Sequence, residues 1–233
     1  IQDTYGGQTV ACFLPGTKVS TPSGLKNIEG VTHIHLSATH FGTDSNNSPY
    51  IHLNDYSPYD KRFDSVWNEL KLAKQNGVKI ILMLGGAGGA FGTYKKNPTL
   101  YYGFLKKLLK DKADIISGVD LDIEEQVDYV LVKDLVVNLK EDFGSDFIIS
   151  FAPVSYALEN DSPGMGGFYY KQLEDELGLL INYYNGQFYY DYDSASYDKA
   201  VDNGYNPEKV VFGAITSIPL DIQVENVKRL SDK

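Results

Sequence analysis

Runs of β-branched and aromatic residues recur along the chain at intervals of roughly 25–45 residues, and the stretches between them carry helical periodicity. The strand candidates are Thr9–Leu14, His33–Ala38, Lys79–Leu84, Ile116–Ile123, Phe147–Phe151, Asn182–Tyr189 and Lys209–Ile215. Between the second and third, Arg62–Gln75 gathers Phe63, Val66, Trp67, Leu70 and Leu72 largely on one side and stops at Gly77. Leu100–Leu109 and Val130–Leu139 read the same way. Asn76-Gly77, Phe143-Gly144 and Asn203-Gly204 each stand just before a strand, where a helix should end. Strands alternating with helices mean repeated βαβ units on a parallel sheet. No linker or low-complexity tract divides residues 1–233, so a single α/β domain is expected, either a (β/α) barrel or a doubly wound sheet.

A chain of 233 residues with 42% hydrophobic side chains has the material for a sizeable core. Its formal net charge of -10 argues against nucleic acid as a partner, because phosphate binding needs a basic surface. The 18 Tyr combine flat apolar faces with hydroxyls, which suits sugars as well as ordinary packing. A single cysteine, Cys12, leaves no intrachain disulfide. No run of about 18 apolar residues predicts a membrane span. The triplets Asn46-Asn47-Ser48 and Asn160-Asp161-Ser162 match the N-glycan acceptor pattern. The string GGAGGAFG after the third strand candidate lacks the context of a nucleotide loop and reads as tight backbone beside a ligand pocket.

The segment SGVDLDIEEQ, Ser117–Gln126, alternates Asp120, Asp122 and Glu124 with Val119, Leu121 and Ile123. Residues i, i+2 and i+4 share a strand face, so the three carboxylates form one ladder. In a barrel that ladder rises through the interior toward the C-terminal mouth, with Asp120 deepest and Glu124 uppermost. Three carboxylates this close do not all ionise cheaply, and a carboxylic acid kept protonated near neutral pH is what a general acid requires. A solvated edge-strand face is disfavoured by the apolar opposite side. A Mg²⁺ or Ca²⁺ site lacks a matching His or Asp cluster at the other strand ends, so no metal is expected.

SGVDLDIE resembles the DGxDxDxE signature of family 18 glycoside hydrolases, the chitinases and endo-β-N-acetylglucosaminidases, with Ser117 in place of the leading Asp. KIILMLGG, Lys79–Gly86, is similar to the family's third-strand SxGG motif, with Met83 in place of Ser. YYNGQFYYD, Tyr183–Asp191, resembles its sixth strand. HLNDYSPYD, APVSYALE and YNGQFY are nearest to the fungal endo-β-N-acetylglucosaminidases, and the resemblance runs from about Val10 to Val211. It implies a (β/α)₈ TIM barrel and a retaining, substrate-assisted mechanism in which the 2-acetamido group of the sugar is the nucleophile. It further implies that Glu124 is the general acid and base, that Asp122 orients the acetamido group, that Asp120 shares a proton with Asp122, and that Tyr189 hydrogen-bonds the acetamido group. Asn185 and Gln187 share strand parity with Tyr189 and are expected to face the interior with it. Gly86 is expected beside the sugar, and Phe41, Tyr156 and Tyr190 are candidates to stack on sugar rings. No cofactor is implied.

Family members carry an eighth strand with a tryptophan that floors the cleavage subsite, but only seven strands are legible here, and the single Trp67 falls in a helix. The expectation is an incomplete barrel domain from a longer natural chain. Otherwise the free edges of the first and seventh strands would be covered by another element, such as a second copy. The expected activity is cleavage of the β-1,4 bond between the two N-acetylglucosamines of the N-glycan core. A chitinase acting on chitin oligomers and a catalytically impaired glycan-binding relative are the alternatives. The expected partner is an N-acetylglucosamine-containing glycan or glycoprotein, and the expected location is extracellular.

Overall fold

The computed structural model describes residues 31–190, 192–215 and 217–231, together with the backbone of two strands nearer the N-terminus. Those two are β1 (Gln2–Thr4) and β2 (Thr9–Phe13). The chain continues through β3 (His33–Thr43), β4 (Pro49–Leu53), α1 (Asp64–Gln75), β5 (Lys79–Gly85), α2 (Ala90–Tyr94) and α3 (Pro98–Asp111). Then follow β6 (Ile116–Asp122), α4 (Tyr129–Phe143), β7 (Ile148–Phe151), α5 (Ser155–Glu159) and α6 (Tyr170–Leu177). The last elements are β8 (Tyr183–Gln187), α7 (Ser194–Asp202), β9 (Val210–Gly213) and α8 (Leu220–Ser231).

Seven strands run parallel in the order β2-β3-β5-β6-β7-β8-β9, the arrangement of a (β/α) barrel lacking one parallel strand. The short β1 lies antiparallel to both ends of this run, pairing Gln2 with Val10 and Thr4 with Val211. The free edges expected on the first and last parallel strands are therefore bridged over these few residues by a segment the sequence pattern did not reveal. A second addition is β4, which folds back antiparallel on the far end of β3. It forms there because β3 runs on past the barrel register, through an irregularity between Leu36 and Thr39.

Alternation along the strands divides the core in two. Outward residues such as Ile34, Leu36, Ile80, Leu82, Val119, Leu121, Ile149, Phe151 and Phe212 are buried against the helices. The helices meet them with stripes at helical spacing, such as Val66, Trp67, Leu70 and Ala73 on α1 and Val132, Leu135, Val136 and Leu139 on α4. Trp67 donates its indole N–H to the Pro58 carbonyl at 2.9 Å and belongs to this outer layer. Gly77, Gly144 and Gly204, all at positive φ, end α1, α4 and α7 as the sequence predicts. Inside the barrel Tyr183 and Val211, packed with Ile148, form a small apolar cluster of their own. Next to it, carried by the same strands, the interior turns polar.

Candidate active site

β6 carries Asp120 and Asp122 on its inward face, and both are buried. Register decides their neighbours. Asp120 is paired across to Ser150 on β7 and Met83 on β5, while Asp122 is paired to Gly85. The Ser150 hydroxyl donates to Asp120 Oδ1 at 2.5 Å, and the Asn185 amide lies 3.5 Å from Oδ2. From β3, His35 Nδ1 approaches the same Oδ2 to 3.2 Å, and the Tyr183 hydroxyl sits 2.8 Å from His35 Nε2. A fully buried carboxylate is therefore ringed by polar groups from three other strands, which is what makes its burial tolerable.

Asp122 stands one step higher. Gln187 Nε2 donates to its Oδ1 at 3.2 Å and to the Ala152 carbonyl at 2.7 Å. Burial, then the charge of Asp120, then those of Glu124 and Glu125 push the Asp122 carboxyl up to about 8, and the Gln187 bond opposes this only in part. Its backbone carbonyl accepts the Gly86 N–H at 2.9 Å. Gly85 lies so close that a Cβ there would stand 2.0 Å from that carbonyl oxygen, and its φ is +107°. The double glycine thus lets two strand ends meet at the carboxylates, and Gly86 is buried within 3.5 Å of the Asp122 carboxylate, measured from where its Cβ would be.

β6 ends at Asp122, and Glu124 follows in the loop, half-buried. Its carboxyl is raised above the ordinary range by burial first and by Glu125 second. Glu125 turns to another task and accepts the Phe91 N–H of α2 at 3.3 Å. Asn185 and Gln187 share the inward face of β8, and Tyr189 lies two residues beyond the strand end, half-buried. Among the described residues no group of three or more His, Cys, Asp and Glu side chains is arranged to hold a metal.

The three aromatic candidates part company here. Tyr156, on α5 after β7, is 47% exposed, and Tyr190 is 98% exposed. Phe41 is not a loop residue. It lies on β3, 2% exposed, with Tyr94 stacked on its ring at 5.4 Å and Tyr101 at 5.3 Å. It has no open face for a sugar, because the extension of β3 toward β4 turns it into the outer core.

Sequence reasoning passed over His35, Ser150 and Tyr183. The signal was present in HIHLSA and FIISF. His33, His35 and Ser37 alternate with Ile34 and Leu36, and Ser150 interrupts an apolar run, the mark of strands with a polar inner face.

No protein-family model matches the chain. Among curated proteins it is 28% identical over 186 residues to Chitinase 2 of Rhizopus oligosporus, a match that covers 73% of this chain and 29% of that protein. The chain thus spans less than a third of that relative's length. A fungal endo-β-N-acetylglucosaminidase from glycosyl hydrolase family 18 superposes with a TM-score of 0.82 and 31% identity, over 97% of this chain and 85% of that one. The chitinase ChiC from Aspergillus fumigatus superposes with a TM-score of 0.75 and 33% identity, over 87% of this chain and 76% of that one. A chitinase from Pseudoalteromonas aurantia, at 19% identity and a TM-score of 0.70, shares the fold.

Proposed function

The chain belongs to glycoside hydrolase family 18, and from that premise we propose that it hydrolyses the β-1,4 bond between two N-acetylglucosamines of an N-glycan core. The observation that carries this reading is the carboxylate column, with Asp120 buried among donors, Asp122 raised to about 8 and Glu124 in the loop above them. One proton shared at depth and a carboxyl above it that burial and Glu125 raise suit substrate-assisted cleavage. In this reading the acetamido carbonyl oxygen attacks the anomeric carbon while Glu124 gives its proton to the departing glycosidic oxygen. An oxazolinium ion results, steadied by Asp122 on its nitrogen side, with Asp120 taking up the proton that Asp122 releases. Tyr189 holds the acetamido group in line for attack. Water then adds to the anomeric carbon, its proton passes to Glu124, and the acetamide is restored. Asn185, Gln187 and Gly86 line the pocket, and Tyr156 offers an exposed ring to the sugars. The protein acts as a barrel domain outside the cell.

A second reading, a chitinase on chitin oligomers, is favoured by the chitinases among the relatives. The two bonds are chemically alike, so the substrate decides between them. Incubation with an N-glycosylated protein and with chitin oligomers, products weighed by mass spectrometry, should leave one N-acetylglucosamine on asparagine. Release of short oligomers from chitin with the glycoprotein untouched establishes the chitinase. Hydrolysis of neither overturns both.

A further inference from the structure

We propose that His35, backed by Tyr183, is a positioning residue that holds Asp120 as the proton-poor member of the carboxylate column. This rests on the reading of the column as the catalytic centre. His35 is wholly buried, its Nε2 faces the Tyr183 hydroxyl at 2.8 Å, and its Nδ1 faces Asp120 Oδ2 at 3.2 Å. The contact with Asp120 is one of distance, outside hydrogen-bond alignment, and among the described residues Nδ1 has no hydrogen-bond partner. A buried N–H needs an acceptor, and this carboxylate is the one in reach. When the Tyr183 O–H donates to Nε2, the ring proton sits on Nδ1 and points at Asp120. The logic is that of a relay in which one group fixes the tautomer of the next.

The surroundings match this role. Ser150 donates to Asp120 from β7 and Asn185 approaches from β8, so His35 is the contribution of β3 to one ring of donors. Met83, which stands where a hydroxyl residue occupies the motif resembled, gives no proton to Asp120. Its sulfur accepts from the Ser37 hydroxyl at 2.8 Å. Other titratable groups near His35 are His33 on the same strand and, beyond it, Lys79 at the start of β5. Each donor to an ionised carboxylate makes its charge cheaper. With Asp120 favoured as the anion, the remaining proton of the pair stays on Asp122, next to the substrate.

Removing the His35 donor makes the Asp120 charge dearer, so the first ionisation of the pair moves to higher pH. The second stays or also rises, because the doubly ionised state loses the same support. His35→Leu should therefore move the acid limb of the pH profile of kcat/KM upward by about one unit, roughly tenfold in rate on that limb, the size of one hydrogen bond to a charged group. His35→Asn, whose amide nitrogen reaches the place of Nδ1, should restore most of the native profile. Tyr183→Phe keeps the ring, and should give a smaller shift in the same direction if His35→Leu does not fold. A readout independent of hydrolysis is ¹⁵N NMR of the histidine side chains near neutral pH, expected to show a proton on His35 Nδ1. An unprotonated Nδ1, or folded His35→Leu and Tyr183→Phe variants with unmoved acid limbs, overturns the proposal. A wild-type protein inactive on every glycan overturns the catalytic reading, and the NMR result then judges the His35 assignment by itself.

Discussion

At the scale of the residue, the column separates three identical chemical groups by depth alone. Asp120 has donors on both oxygens, Asp122 has one amide donor and three acidic neighbours, and Glu124 has a half-open loop. Glu124→Gln keeps the shape and removes the titrating proton. Turnover on the cleaved glycan should fall by at least about 10²–10⁴-fold with the thermal midpoint little changed, and near-native turnover would refute the role of Glu124. Asp122 also writes a pH signature into stability. Its folded value of about 8 lies above the ordinary 3.8, so the folded state binds the proton more tightly than the unfolded chain. That contribution is complete below the unfolded value and is lost as pH rises through the folded one. Stability from this site should fall by up to about 1.4 kcal/mol per pH unit between those limits. Asp122→Asn does not titrate, and urea unfolding at about pH 5 and about pH 8 should show a smaller loss than in the wild type.

At the scale of the element, the meeting of β5 and β6 is the tight joint of the molecule. A side chain at Gly85 would drive into the Asp122 carbonyl and the Phe91 ring, against backbone that has no room to yield. Gly85→Ala should cost more than about 2 kcal/mol, or displace the end of β6 and abolish hydrolysis. Gly92, in α2, has open space around its missing Cβ, so Gly92→Ala should be neutral or gain about 0.5–1 kcal/mol from helix propensity. Chemical denaturation of the two variants makes the comparison. Equal effects would mean that glycine content, not the joint, sets the tolerance of this loop.

At the scale of the whole molecule, a parallel barrel brings one inward residue from each strand to a common level, and the reaction follows from that convergence. If the sugar supplies the nucleophile, a glycan with a hydroxyl in place of the 2-acetamido group should bind weakly and remain uncleaved. The first product of the natural glycan should keep its β configuration, read by proton NMR before mutarotation. Cleavage of the hydroxyl analogue at a comparable rate would point to a protein nucleophile instead.

The sequence alone determined the seven parallel strands, the helices α1, α3 and α4 between them, and the inward pair Asp120 and Asp122, whereas Glu124, read as the top of the same strand face, falls in the loop after β6. These follow from periods of 2 and 3.6 residues, which local backbone geometry imposes whatever the rest of the chain does. It also determined that Asn185 and Gln187 share the inward face of β8, beyond whose end Tyr189 lies. Only the tertiary structure decided what meets what. Ser150 lies 30 residues from Asp120, Tyr183 lies 148 from His35, and their contacts exist because strand register brings them level inside the barrel. The burial of Phe41 was likewise settled by β3 running on to pair with β4, and the bridging of the parallel run by β1 was settled by antiparallel pairing with β2 and β9. Neither has a local signature, because a residue's periodicity tells which face it takes but not which partner will cover that face.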